Sequence, residues 1–318
     1  MHPAISIIGF TVASGAGYGL LALAITAAIL GLLPDDPLFA FIVMGLGTGL
    51  ISAGLVSSMF HLGHPERAWR AISQWRTSWL SREGLAALVT FVPLAIFGIG
   101  WVFLGRTHGL WALAGLVAVA GAIVCVGSTA MIYASLKPIR AWHNPWTVVT
   151  YYLLALASGA VLLAMLLHVF SALALWADAL ALAGLAAAWI AKLVYWRDID
   201  AKPAANTAES ATGLGFLGRV RQIVPPHTEE NYLLKEMGFR VARKHTARLR
   251  QLALFSGLVL PAALIALAWL AGGAIATGLM VLAAAAAATG IVIERWLFFA
   301  EAKHTVVLYY QGTPSGVG

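Results

Sequence analysis

The sequence predicts an all-α fold, an integral membrane bundle of eight transmembrane helices, and three observations carry that prediction. Of the 318 residues, 61% are hydrophobic and only 10% charged, with a mean hydropathy of +0.86; an average soluble domain carries roughly 25% charged residues. Eight windows are apolar over about 20 residues, the length a helix needs to cross a bilayer. None alternates with the period of two that a barrel strand requires, so in lipid the backbone is satisfied within helices.

The first window, 5–33, belongs to an opening "MHPAISIIGFT" with no basic flank, and its apolar run is too long for the core of a signal peptide, so it is expected to remain as a span. The second, 38–60, ends before "HLGHP", where Gly63 and Pro65 stop a helix. The third is 84–105. The fourth, 110–136, carries the single cysteine, Cys125, near its middle. One buried cysteine builds neither a disulfide framework nor an iron–sulfur motif, so no metal site is expected in this chain. Windows five to eight are 146–170, 172–194, 251–271 and 275–300, and residues 1–318 read as a single membrane domain.

Between the sixth and seventh windows lies a long basic connection, 196–250. Its first half is rich in Ala, Gly, Thr and Pro and reads as irregular chain. After Pro225-Pro226, Thr228 can cap a helix with Glu229 and Glu230 in its first turn and Arg240, Arg243, Lys244, Arg248 and Arg250 toward its end, the order a helix dipole favours. Such a helix suits either the lipid headgroups or a docking partner. With eight spans, both termini and the 2–3, 4–5 and 6–7 connections share one face, which receives 19 of the 20 Lys and Arg; only Arg106 lies opposite, with Asp35, Asp36 and Asp178. Positive residues mark the cytoplasmic side, so both termini and the 61–83 loop are expected there, in the bacterial inner membrane. The net charge of +7 is this face, suited to anionic lipid or an acidic protein partner rather than to nucleic acid.

The loop "HLGHPERAWRAISQWRTSWLSREG" concentrates the candidate chemistry. His61 ends the second span, and Ser81, Arg82 and Glu83 stand at the mouth of the third, bringing His61 and Glu83 to one membrane boundary. A histidine and a carboxyl group there can relay protons to a quinone, whose ring oxygens need donors as charge builds on them. The alternative is that both satisfy helix-end hydrogen bonds. Trp69, Trp75 and Trp79 either line such a cavity or anchor the chain at headgroup level. In "IERWLFFAEAKHTVV", Glu294 and Arg295 are neighbours that do not face each other on a helix, so each is expected to find its partner elsewhere; Arg295 is a candidate for the cavity wall or snorkels to the headgroups. Away from their ends the spans read as almost free of ionisable residues. No two histidines fall at mid-depth on two helices, so no haem is expected. A secondary transporter, the reading from another class, wants buried charges or broken helices at mid-membrane.

Together "MHPAISIIGFT", the "HLGHPERA" segment followed by "LSREG", "LKPIRAWHNPWTVVTYYLLALASG" and "ERWLFFAEAKHTVV" resemble the membrane anchor subunit family of dimethyl sulfoxide reductase-type molybdoenzymes over nearly the whole chain. The resemblance implies an anchor with no redox cofactor of its own. It implies that the anchor binds quinone, ubiquinone or menaquinone, and holds a ferredoxin-like subunit with [4Fe–4S] clusters that serves a molybdopterin catalytic subunit. It also implies that His61 and Glu83 belong to the quinone site, within a set completed by Trp79, Ser81, Arg82 and Arg295. The inward-facing loop and the long basic connection make the chain most similar to the membrane subunits of cytoplasm-facing sulfite dehydrogenases. A quinol-oxidising reductase anchor is the alternative within the family.

Overall fold

Each apolar window becomes a helix because unpaired backbone groups in hydrocarbon cost several kcal/mol each. The computed structural model describes residues 4–60, 64–172, 174–201, 207–221, 223 and 241–305. Among these, eight helices are long and apolar enough to span a membrane: α1 (Ile5–Ile29), α2 (Pro37–Met59), α3 (Trp79–Phe103), α4 (Leu110–Ala134), α5 (Pro145–Val169), α6 (Leu175–Ala201), α7 (His245–Ala271) and α8 (Gly273–Ala300). The all-α membrane bundle is therefore as expected.

Helix boundaries follow local chemistry more closely than hydropathy does. The Asp36 carboxylate caps α2 by accepting from Leu38 N at 2.8 Å, with Pro37 at the first position, and Asn144 caps α5 by accepting from Trp146 N at 2.7 Å. Ser78 caps α3, accepting from Ser81 N at 3.5 Å, so this helix begins five residues before the apolar window does. Trp79, Ser81, Arg82 and Glu83 thus belong to the first turns of α3, at the mouth of the span. Likewise α6 runs on to Ala201. Helix is continuous from Val241 into α7, so Arg248 and Arg250 belong to a spanning helix rather than to a separate surface helix. The part of the expected connection helix from Thr228 to Arg240 lies outside the described residues, as does His61.

Two helices deviate inside the membrane. α3 contains Pro93 and closes in a π-turn at Ile99–Phe103, and α7 has a π-turn at Phe255–Val259 before Pro261. Proline removes an i→i−4 hydrogen bond, and a widened turn accommodates the loss.

α1 and α5 form the centre of the bundle. α1 packs against α2, α4, α5 and α8, while α5 packs against α1, α4, α6 and α8. Lipid supplies no hydrophobic force between apolar helices, so small residues that let backbones touch decide which helices meet. At the α1–α5 crossing a Cβ on Gly19 would sit 1.8 Å from the Ala155 carbonyl oxygen, and one on Gly159 would sit 2.2 Å from Gly19 C. Gly290 of α8 meets Gly257 of α7 as closely, at 2.3 Å. On the face where α8 ends, the α4–α5 turn is tied to the segment after α8 by an isolated bridge between Ile139 and His304, and to α8 itself by Trp142 Nε1 donating to Phe298 O at 2.8 Å.

Candidate functional site

The first polar assembly grows from the N-terminal end of α3. Glu83, the fifth residue of the helix, lies about 6 Å along its axis from Trp79. Its carboxyl group is 5% exposed and accepts a hydrogen bond from the Thr129 hydroxyl of α4. Ser81, closer to the helix start, is buried with it. Deeper, the Cys125 Sγ lies 3.7 Å from Thr90 Oγ1, with Tyr18 of α1 beside the thiol.

From Thr129 a cleft of about 20 Å³ runs between α1, α4, α5 and α8, lined on its polar side by Thr11, Ser14, Tyr18, Thr129, Tyr151 and Arg295. Thr11, Ser14 and Tyr18 share one face of α1, at the i, i+3, i+7 spacing that brings side chains into one stripe. The Tyr18 and Tyr151 hydroxyls are buried and make no hydrogen bond of normal geometry.

The second assembly meets the same cleft through Arg295. Arg295 is 3% exposed, and its guanidinium grips Glu294 through Nε and, at 2.7 Å, through Nη2. Neighbouring positions point about 100° apart on a helix, but the long arginine stem folds back over its own turn, so the expectation that these two residues find separate partners is corrected. Glu294 also receives Lys192 of α6, whose Nζ lies 2.5 Å from Oε1. Both Lys192 and Glu294 are fully buried, nine and six residues from the ends of their helices, about 13 and 9 Å along the axes. The expectation of spans nearly free of internal charge fails here. Lys192, near the end of the sixth apolar window, is followed by nine further residues of α6.

Two cations against one carboxylate leave this cluster with one excess positive charge when all three are ionised. Aromatic faces take up part of it: Lys192 Nζ is 3.8 Å from the Tyr195 ring centroid, and the Arg295 guanidinium is 4.3 Å from Tyr151 and 4.9 Å from Phe298. Tyr133 stacks on Tyr151 and Trp142 on Phe298, the two pairs meet edge to face, and together they join these charges to the α4–α5 turn.

The remaining candidates sit elsewhere. Arg82 lies over the Trp79 ring at 4.2 Å and donates to Trp75 O at 2.9 Å and Arg76 O at 2.8 Å, so it clamps the turn that leads into α3. The structure therefore joins Glu83, through Thr129, and Arg295 to one polar cleft, while Trp79 and Arg82 hold the turn that leads into α3. At the opposite face His168 meets Asp178 at 3.1 Å, Trp269 Nε1 donates to the same carboxylate at 2.9 Å, and Thr277 donates to His168 O at 3.1 Å. This staple joins α5, α6, α7 and α8. Sequence reasoning missed Tyr18, Thr129, Tyr151 and the burial of Lys192. The hydroxyl stripe of α1 and a lone lysine in "AAAWIAKLVYW" were the available signals.

Comparison with known proteins adds the family context. The family model described as DMSO reductase anchor subunit (DmsC) matches residues 1–300. A sulfite dehydrogenase subunit of Allochromatium vinosum is 32% identical over 98% of this chain and 99% of its own length. The anaerobic dimethyl sulfoxide reductase chain YnfH of Escherichia coli is 30% identical over 37% of this chain and 42% of its own. A second anaerobic dimethyl sulfoxide reductase chain of the same organism is 28% identical over 36% of this chain and 39% of its own. No solved structure matches.

Proposed function

The chain belongs to the DMSO reductase anchor subunit (DmsC) family of membrane anchors, and from this premise we propose that it exchanges electrons with a quinone at a site built on Glu83, within a complex that oxidises sulfite. The observation that supports the reading most is the Glu83 carboxyl, buried at the start of α3, held by Thr129 and opening through it onto a hydroxyl-lined cleft. The similarity to the sulfite dehydrogenase subunit of Allochromatium vinosum, which runs along the whole chain, supports the choice of sulfite.

The proposed chemistry follows from the ring. Reducing a quinone to a quinol takes two electrons and two protons, one proton for each ring oxygen as negative charge builds on it. A carboxylic acid in a desolvated wall donates to such an oxygen and is recharged from the aqueous face, and His61 is the proposed second donor. The electrons come from sulfite, which with water gives sulfate, two protons and two electrons at the molybdopterin centre of a partner subunit. A ferredoxin-like iron–sulfur subunit carries them to this chain. The basic face supports a cytoplasmic position for both termini and for the loop between α2 and α3, with the protein in the bacterial inner membrane. Proton uptake and quinone reduction on that single side move no net charge across the bilayer.

The two Escherichia coli relatives are chains of anaerobic dimethyl sulfoxide reductases, which supports a second reading in which the same residues take protons from a quinol and electrons flow outward. Gentle-detergent purification from native membranes, followed by an assay of sulfite-dependent quinone reduction, separates the two. Molybdenum and iron–sulfur partners with that activity are the expected result; partners without it favour the second reading. Glu83→Gln and His61→Ala variants are expected to lose about a hundredfold or more in turnover while the complex still assembles. Full turnover in assembled variants refutes the site.

A further inference from the structure

The cleft behind Glu83 has properties that packing alone does not explain. Two of its lining hydroxyls, on Tyr18 and Tyr151, belong to side chains more than nine-tenths buried and make no normal hydrogen bond, although a buried phenol ordinarily finds a partner. Arg295 lines the cleft and belongs to a cluster with one positive charge in excess. An uncompensated charge in a desolvated site attracts a counter-charge, and on this wall it can come from the cleft. Thr129, also in the lining, joins the cleft to Glu83. The rest of the lining is apolar or small, with Gly15, Ala155 and Ile291 among it. Two buried hydroxyls without a normal hydrogen bond, a cation, a carboxyl reached through Thr129 and apolar walls match a flat ring that carries oxygens at its edge and becomes anionic when reduced.

We propose that this cleft holds the ring of the quinone, with the Tyr18 and Tyr151 hydroxyls donating to its oxygens and Arg295 facing the charge that builds during reduction. The proposal rests on the reading of Glu83 as part of a quinone site and extends that site inward from the α3 terminus to α1, α5 and α8. Tyr18, Tyr151 and Arg295 bind and orient the ring; Glu83 remains the proton donor. With about 20 Å³ of space, the cleft holds about one water molecule, so binding of the ring requires the cleft to widen. Each tyrosine hydroxyl, buried without a hydrogen bond of normal geometry, gains an acceptor when the ring arrives. Binding therefore selects the opened cleft.

The test uses the intact complex in native membranes with decyl-ubiquinone as the probe. A Tyr18→Phe/Tyr151→Phe variant keeps the ring shapes and removes both donors. Its KM for the quinone is expected to rise about tenfold, the combined loss of two neutral hydrogen bonds, with sulfite oxidation by a soluble dye unchanged. Gly15→Leu narrows the cleft without touching a polar group; a Cβ there would lie 3.9 Å from Ala155 Cβ, so the backbone tolerates it. It is expected to raise KM and to lower the quinone extracted from the purified complex. Unchanged KM and unchanged bound quinone in both variants overturn the proposal. If Glu83→Gln still abolishes turnover in that case, the quinone site stands and lies elsewhere. If Glu83→Gln is also silent, the parent reading fails with it. Higher KM in the cleft variants beside a silent Glu83→Gln sustains the cleft and removes Glu83 from the reaction.

Discussion

Replacing Glu294 with Gln and, separately, Lys192 with Met gives opposite outcomes if the charge count of the buried cluster is right. Glu294 is fully buried between two cations, Lys192 at 2.5 Å and the Arg295 guanidinium with one contact at 2.7 Å. Glu294→Gln removes their shared counter-ion and leaves two positive charges facing each other without water. Losing one partner of a buried pair costs roughly 3–5 kcal/mol, and a second stranded cation puts this variant at or above the top of that range. Lys192→Met keeps a side chain of similar length and leaves Glu294 and Arg295 as a neutral two-contact pair. The desolvation cost of the third charge disappears with its attraction, so a change within about 1 kcal/mol is expected. For a domain of this size that separates the variants by roughly 8 °C or more in Tm. Heating detergent-purified protein and following the monodisperse peak by fluorescence-detected size exclusion reads the difference. If Lys192→Met proves as damaging as Glu294→Gln, the cluster is not over-charged. The attraction of Arg295 for an anionic ring, argued above from that excess, then loses its basis.

Two further outcomes probe the scaffold. Gly19→Ala puts a methyl group 1.8 Å from the Ala155 carbonyl oxygen at the α1–α5 crossing and is expected to prevent accumulation of folded protein, whereas Gly45→Ala, with nothing within 4 Å, is silent; the level of a fluorescent fusion in membranes checks both. His168→Ala leaves the buried Asp178 with Trp269 alone and is expected to cost about 3 kcal/mol in a thermal assay without changing the KM for quinone, since it acts at the opposite end of the bundle.

How far the site can be read from the chain differs residue by residue. Glu83 stands out in the sequence because a carboxyl at the edge of an apolar window is rare, and the pattern around it is local. Its depth is less legible: the apolar window begins at 84, but Ser78 caps the helix earlier and carries Glu83 inside it. Lys192 looks like a residue at the basic end of the sixth window until its partner, a glutamate two helices later, is brought against it. Arg295 and Glu294 look mutually inaccessible by helical spacing, and only the flexibility of one side chain joins them. Tyr18, Thr129 and Tyr151 are unremarked as single residues; they become a site because α1, α4 and α5 converge there.

The sequence by itself determined the all-α membrane bundle, the eight spans and the segregation of basic residues to one face. Each of these depends on properties summed within a single segment: the cost of exposing backbone to lipid, the length of a helix across a bilayer, and the sign of charge beside each span. The tertiary structure alone decided which hydroxyls share a cleft, which carboxylate answers which cation, and that α1 and α5 touch backbone to backbone. Those outcomes depend on distances between segments far apart in the chain, and in a medium as apolar as the helices themselves those distances are set by how closely small residues let two backbones approach.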